Sequence, residues 1–349
     1  MSRSKKVLIM AGGTGGHIFP ALAIARELES NSINVEWLGS VKGMEGPIVK
    51  KNGFKLHNVS AVGLRGKKIK SLIKAPFLLS LAVLQTLKIF VIAKPDIVLG
   101  MGGFVSGIGG LLSKLTGKTL IIHEQNAVPG TTNRILSKIA NKTFQAFDNT
   151  FDSNINAVTC GNPIAFKAQE PASKQSIRNL LVLGGSLGAK SINYCIPELK
   201  TSLNIWHQTG KQHIELVKNL YTQSNITESK VKIEPFIENM AEAYSWADIV
   251  ICRSGAMTVS EIIATNSVAI LIPFPYAIDD HQTANAKILS DKGAGVLLKE
   301  SKLSPQSLNE IIENIQFKDI KSKVAMIKNI NSAKTICDYM LIPNFSNSS

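Results

Sequence analysis

The chain has 349 residues, 44% of them hydrophobic and 6% aromatic, which is enough for two domains with separate cores and too apolar for a disordered polypeptide. Its 39 Lys and Arg exceed its 25 Asp and Glu, for a net charge of +14. That field favours nucleic acid, an anionic membrane surface or a phosphorylated substrate, and no aromatic-interleaved basic repeat or zinc-finger spacing speaks for nucleic acid. Cys160, Cys195, Cys252 and Cys337 form no CxxC pair and read as cytosolic thiols. The first apolar run is too short for a signal peptide, so the chain is expected to stay in the cytoplasm.

That run, residues 7–10, is followed by Gly12-Gly13-Thr14-Gly15-Gly16-His17 and then by helix formers over 18–28. The order predicts strand, glycine turn, helix, with backbone N–H groups at the helix start open to an anion. There is no GxxxxGK. The turn does not satisfy GxGxxG either, and the second strand, 34–38, ends at Gly39-Ser40 without a ribose-binding acid. A nicotinamide cofactor is therefore not expected. A glycine turn alone is equally well explained by structure.

A third strand near 56–62 leads into a basic glycine-rich loop, 63–68, read as a solvated turn. Residues 69–93 are unusually apolar, but Lys74, Pro76 and Lys88 break them below the roughly 20 uncharged residues of a spanning helix. Pro76 suits the first turn of a helix running to about residue 92. Leu78, Leu81, Leu84 and Gln85 fall on adjacent turns, while Leu79, Val83 and Leu87 make the other side apolar too. Such a helix is buried on several sides or rests one side on a membrane. The pattern favours burial, and the flanking lysines keep the membrane reading open.

Residues 96–99 form a strand that ends in a second glycine loop, 100–107. Another strand, 119–122, ends in His123-Glu124-Gln125-Asn126. Three strands thus deliver glycine or polar residues at their C-terminal ends, which in a parallel sheet line one crevice. Residues 147–159 are polar with weak periodicity, and 161–163 and 171–174 look like a linker, placing a boundary near Asn162. The second half repeats the plan, with a strand at 179–183, a glycine turn at 184–189, strands at 205–208, 231–233 and 249–252, and a helix at 241–246.

At 253–264 a strand end, Gly255 and a helix start carrying Thr258 and Ser260 suit a diphosphate. Glu261 would oppose a phosphate but suits a ribose diol; the alternative is a capping acid. Asn266 fits the left-handed residue that closes this helix. Residues 271–274 are predicted as a strand, followed by Asp279-Asp280-His281-Gln282, whose adjacency argues against a metal site. The last helical stretch is 320–341, with a frayed tail at 343–349.

Five stretches in this order closely resemble the bacterial MurG glycosyltransferase family: GGTGGH at 12–17, GMGGFVSG at 100–107, HEQN at 123–126, GGSLGA at 184–189 and CRSGAMTVSE at 252–261. The resemblance implies an α/β protein of GT-B architecture, two Rossmann-like doubly wound parallel-sheet domains facing a cleft. Residues 1–161 would face acceptor and membrane, 162–330 would bind the UDP-sugar, and 331–349 would be a C-terminal helix and tail able to return to the first domain. The implied reaction is inverting transfer of N-acetylglucosamine from UDP-N-acetylglucosamine to the 4-hydroxyl of the lipid-linked muramyl-pentapeptide lipid I, giving lipid II. It would serve wall synthesis, cell shape and division at the cytoplasmic face of the cell membrane. No tightly bound cofactor is implied, with a divalent cation at most stimulatory. The partners implied are the donor, lipid I, an anionic membrane surface and other wall-synthesis proteins, and no nucleic acid.

Carried over by residue, the donor would meet Thr14, Gly15, Gly16 and Asn126, and then Ser186, Ile237, Ala256, Met257, Thr258, Val259, Ser260, Glu261 and Gln282. Glu261 would hold the ribose, while Gln282 and Asn126 address the sugar. His17 is the first candidate for general base and Glu124 the second. Gly13, Gly102 and Gly103 would receive the acceptor diphosphate, and Leu78, Leu81 and Leu84 would dock on the membrane. The chain departs from the family where Gly161-Asn162-Pro163 continues with Ile164-Ala165 instead of Val-Arg, which removes an expected donor contact. Asn266-Ser267-Val268 replaces the usual Gly-Leu-Pro without expected loss. The competing classes are a UDP-N-acetylglucosamine 2-epimerase, a glycolipid-forming transferase acting on diacylglycerol, and a silent UDP-sugar-binding scaffold.

Overall fold

The computed structural model describes residues 5–41, 43–60, 75–166, 177–185, 187–328 and 330–342. The chain divides into two compact units, Met1–Ala165 with Ile330–Ser349, and Phe166–Asn329. Ser186, the basic loop at 63–68, the linker at 171–174 and the tail at 343–349 lie outside the described residues.

In the first unit seven strands pair in parallel: β1 Lys6–Met10, β2 Asn34–Ser40, β3 Lys55–Val59, β4 Ile97–Gly100, β5 Thr119–Glu124, β6 Lys142–Gln145 and β7 Val158–Thr159, in the order β3-β2-β1-β4-β5-β6-β7. Both faces of β1 are covered, so it reads as an unbroken apolar run. Successive side chains then enter different cores. Ile9 joins Ile18, Ile24, Trp37 and Leu99 on one side, and Leu8 and Met10 join Leu38, Val98, Phe90 and Ile108 on the other. Strand β1 lies between β2 and β4, so the chains leaving β1 and β4 part to opposite sides and open a crevice at their C-terminal ends.

The second unit repeats this with six parallel strands: β8 Asn179–Leu183, β9 Asn204–Gln208, β10 Val231–Glu234, β11 Ile249–Cys252, β12 Val268–Leu271 and β13 Val296–Leu297, ordered β10-β9-β8-β11-β12-β13. Its switch point is between β8 and β11.

Three expectations need correction. The strand expected at 271–274 is β12, Val268–Leu271. Asn266 closes the preceding helix in the left-handed conformation, and Pro273 has no N–H to extend the ladder. The short strands β6, β7 and β13 were not expected, because two to four residues carry no readable period. The single helix expected at 320–341 is two, Phe317–Ala325 and Ser332–Leu341.

The Ser332–Leu341 helix belongs to the first unit. Ser332 Oγ donates to the Cys160 carbonyl at 2.6 Å, and Ile336, Cys337 and Met340 are buried in the core that includes Ile18, Ile24 and Leu28. Lys5 Nζ donates to the carbonyls of Met340 and Ile342, both at 3.0 Å, at the helix C-terminus. Ile336→Ala leaves a cavity in that core and is expected to cost about 2–5 kcal/mol in urea unfolding. A loss under about 1 kcal/mol would show that this helix adds little to the unit.

Candidate active site

The first glycine loop is anchored at its root. Trp37, fully buried, donates its indole N–H to the Ala11 carbonyl at 2.9 Å. Beyond it the loop wraps a buried carboxylate, Glu45. Oε1 accepts from Ser40 N at 2.6 Å and Ser40 Oγ at 2.8 Å, and Oε2 accepts from Gly13 N at 3.3 Å. A Cβ on Gly12 or Gly39 would come within 2.8 and 2.7 Å of this side chain. The Gly13 N–H, expected to meet the acceptor diphosphate, donates here to Glu45. Thr14 and Gly16 remain exposed, with Thr14 as the extended residue before the Gly15–Ser30 helix.

The second glycine loop makes room for His17. Gly102 has φ +107°, and a Cβ there would lie 2.9 Å from His17 Cε1. At Gly103, with φ +82°, a Cβ would lie 2.9 Å from the Gly12 carbonyl oxygen. Glycine is required at both positions by conformation and by space. Across the crevice His17 Nδ1 lies 2.8 Å from Gln125 Oε1.

Glu124 does not suit the role of second candidate base. It is 1% exposed. Oε1 accepts from Asn126 N and Nδ2 at 3.0 and 3.1 Å, and Oε2 from Gly130 N and Asn133 Nδ2 at 3.1 and 2.9 Å. Four donors occupy its lone pairs, so it braces the loop that carries Asn126.

On the second unit the Ala256–Thr265 helix begins directly after Gly255, which is extended. Met257, Thr258 and Glu261 are partly exposed, whereas Ala256, Val259 and Ser260 are buried. Val259 packs in the core, so its contact with a ligand would be through backbone only. Glu261 Oε2 accepts from the Tyr244 hydroxyl at 2.9 Å. Burial pushes the Glu261 carboxyl up to about 7, with Tyr244 pulling it the other way. The Ile237 N–H donates to Gln208 Oε1 at 3.1 Å, leaving its carbonyl as the group to offer a base. Gln282 Oε1 accepts from Phe274 N at 2.9 Å, and Ser254 Oγ donates to the Gln282 carbonyl at 2.8 Å.

Three supports went unread in the sequence. Tyr244 stands 17 positions before its partner, beyond any local pattern. Phe166, the residue after Ala165, stacks on its ring with centroids 6.1 Å apart. Arg253 donates to the Ile272 and Pro273 carbonyls at 3.2 Å and to Ser191 Oγ at 3.0 Å, and pairs with Glu300. Glu45 left only a faint signal, the glycines at 39, 43 and 46 around it. Among the described residues no group of three or more His, Cys, Asp or Glu is placed to hold a metal.

The Ala75–Ala93 helix has two sides. Ala82, Thr86, Ile89, Phe90 and Ala93 are buried, while Phe77, Leu84 and Val91 are 74%, 64% and 70% exposed. Leu78 and Leu81 are half-buried, so of the three expected docking residues only Leu84 is fully outward. By length and composition Pro76–Ala93 could cross a membrane, yet 28% of it is buried.

Residues 7–145 match the glycosyltransferase family 28 N-terminal domain, and residues 179–339 match its C-terminal domain. The chain belongs to glycosyltransferase family 28. Within that family it is 56% identical, over 97% of its length and 98% of the relative's, to the UDP-N-acetylglucosamine--N-acetylmuramyl-(pentapeptide) pyrophosphoryl-undecaprenol N-acetylglucosamine transferase of Vesicomyosocius okutanii. The protein of the same description from Cellvibrio japonicus is 47% identical over 89% of each chain. The crystal structure of Acinetobacter baumannii MurG superposes with a TM-score of 0.80 at 36% identity, covering 96% of this chain and 98% of that one. Both units therefore have the α/β architecture of GT-B glycosyltransferases.

The raised Glu261 carboxyl has a cost in stability. Its folded pKa, about 7, exceeds the ordinary 4.5, so the folded state binds the extra proton. Stability is full below about pH 4.5 and falls as pH rises through 7. Glu261→Gln removes this loss. It is expected to stabilise the protein by on the order of 2–3 kcal/mol in denaturant melts at about pH 8 and to be neutral near pH 4. Equal effects at both values would contradict the raised carboxyl.

Proposed function

We propose that this chain transfers N-acetylglucosamine from UDP-N-acetylglucosamine to the 4-hydroxyl of lipid I, giving lipid II for peptidoglycan. The observation that carries this reading is the 56% identity along 97% of the chain to a relative described as that transferase. The site chemistry is consistent with it. Glu261 beside the Ala256–Thr265 helix start supplies acceptors for a ribose diol where the helix dipole favours a diphosphate. The same dipole offsets charge developing on the leaving UDP. Inversion takes one displacement: the acceptor hydroxyl loses its proton to His17 as its oxygen attacks the anomeric carbon, and the carbon–phosphate-oxygen bond breaks with its electron pair leaving on UDP. No tightly bound cofactor enters this scheme, and a divalent cation would act only as a stimulant.

The acceptor is carried by a lipid, and the exposed apolar side of the Ala75–Ala93 helix, together with a net charge of +14, supports peripheral docking on the anionic cytoplasmic face of the cell membrane. There the chain would meet other wall-synthesis proteins.

The direct test offers labelled UDP-N-acetylglucosamine with a short-chain lipid I analogue, with diacylglycerol, or with no acceptor. Label should pass to the lipid I analogue alone with release of UDP. Conversion to UDP-N-acetylmannosamine would replace the reading with an epimerase, and label on diacylglycerol with a glycolipid synthase. Gly102→Ala, which drives a methyl into the His17 ring, is expected to lower kcat by about tenfold or more with donor KM within about twofold; unchanged kcat would separate His17 from the chemistry. Donor affinity should also follow the Glu261 charge. Calorimetry with the sugar nucleotide, whose doubly esterified diphosphate does not titrate here, should show binding tightening from about pH 6 to about pH 8 with a midpoint near 7. Glu261→Gln should bind weakly with a flat profile; a sloping profile in that variant would assign the titration elsewhere.

A further inference from the structure

His17 is the terminus of a hydrogen-bonded chain whose polarity is set at its other end. The Gly161 carbonyl can only accept, and His123 Nε2 lies 2.9 Å from it, so Nε2 carries the His123 proton. His123 is fully buried, which pushes its pKa down to about 4, and its Nδ1 therefore holds a lone pair at neutral pH. Gln125 Nε2 lies 3.1 Å from that Nδ1 and 3.0 Å from the His123 carbonyl oxygen. Both are acceptors, so the amide must present its NH2 end to them; the flipped amide would set oxygen against a carbonyl oxygen. The Gln125 oxygen is then the end that faces His17 Nδ1 at 2.8 Å, and it can only accept. The frame is stiff. Asn133 Nδ2 donates to the His123 carbonyl at 3.1 Å, and Asn162 Nδ2 to the Gln125 carbonyl at 3.0 Å.

We infer that Gln125 is a positioning residue that locks His17 in the Nδ1–H tautomer through the series Gly161–His123–Gln125–His17, leaving Nε2 as its basic nitrogen. This rests on the reading of His17 as the general base. In the transfer step the acceptor O–H bond breaks, its proton forms a bond to Nε2, and the oxygen's electron pair goes to the anomeric carbon. The imidazolium so formed still donates from Nδ1 to the same amide oxygen, so the ring need not turn during the reaction. Free imidazole side chains favour the opposite, Nε2–H tautomer, which presents no lone pair at Nε2. An amide oxygen selects the tautomer without the full charge of a carboxylate partner.

The deciding experiment is nitrogen-15 NMR of the histidine-labelled full chain in mildly alkaline buffer, with His17 assigned by its absence in His17→Gln. The native protein should show His17 protonated at Nδ1; a native His17 protonated at Nε2 overturns the inference whatever the activity of the variants. Gln125→Met, of similar shape but without the amide, should shift His17 towards Nε2–H and lower kcat by about tenfold or more, with KM for UDP-N-acetylglucosamine within about twofold. Full kcat in Gln125→Met alongside a changed tautomer would overturn the positioning role. Full kcat in His17→Ala, with the tautomer as inferred, would instead overturn the assignment of His17 as base and leave the hydrogen-bond polarity intact.

Discussion

A buried carboxylate must have its lone pairs met or it destabilises the fold, and Glu124 meets that demand with donors from Asn126, Gly130 and Asn133. This one constraint shapes the loop after β5 and what it carries. It closes the loop after β5, and through Asn133, which also donates to the His123 carbonyl, it fixes the backbone from which Gln125 reaches His17. Glu45 does the same for the loop after β1, where glycines leave space for its carboxylate. Polar groups that looked available for chemistry are the struts that hold the chemistry in place.

Glu261 is the opposite case. Among the described residues one hydroxyl, from Tyr244, donates to its carboxyl, and desolvation is left to push the acid up to about 7. A carboxyl held with few protein donors is poorly solvated by the fold and ready to accept from a ligand. Stability is given up there to keep a carboxyl with acceptor capacity to spare. Glu124 and Glu261 are the same functional group, one saturated and structural, the other undersaturated and receptive, and the hydrogen-bond count separates them.

The Ala75–Ala93 helix is apolar on its buried side and on its exposed side alike. Its Ala82, Ile89 and Phe90 side completes the core beneath the first sheet, and its Phe77, Leu84 and Val91 side is exposed. Apolar residues on all sides gave its sequence no periodic contrast, so which leucines faced outward depended on where the helix lay against the sheet.

Sequence alone determined the parallel α/β plan, because apolar runs ending in glycine turns and followed by helix formers are local features with local causes. The helix start and its acid were legible too, since Gly255, Thr258 and Glu261 lie within one short stretch. Tertiary structure decided the rest. Only the fold could show that the Glu124 carboxylate is buried and saturated, since that depends on donors arriving from residues up to nine positions away. It alone brought Tyr244 to Glu261 and returned the Ser332–Leu341 helix to the first unit across 172 positions at Ser332 and Cys160. The physical reason is the same each time: helix and turn propensities act over a few residues, whereas desolvation and hydrogen-bond saturation depend on whatever the folded chain brings within about 3 Å.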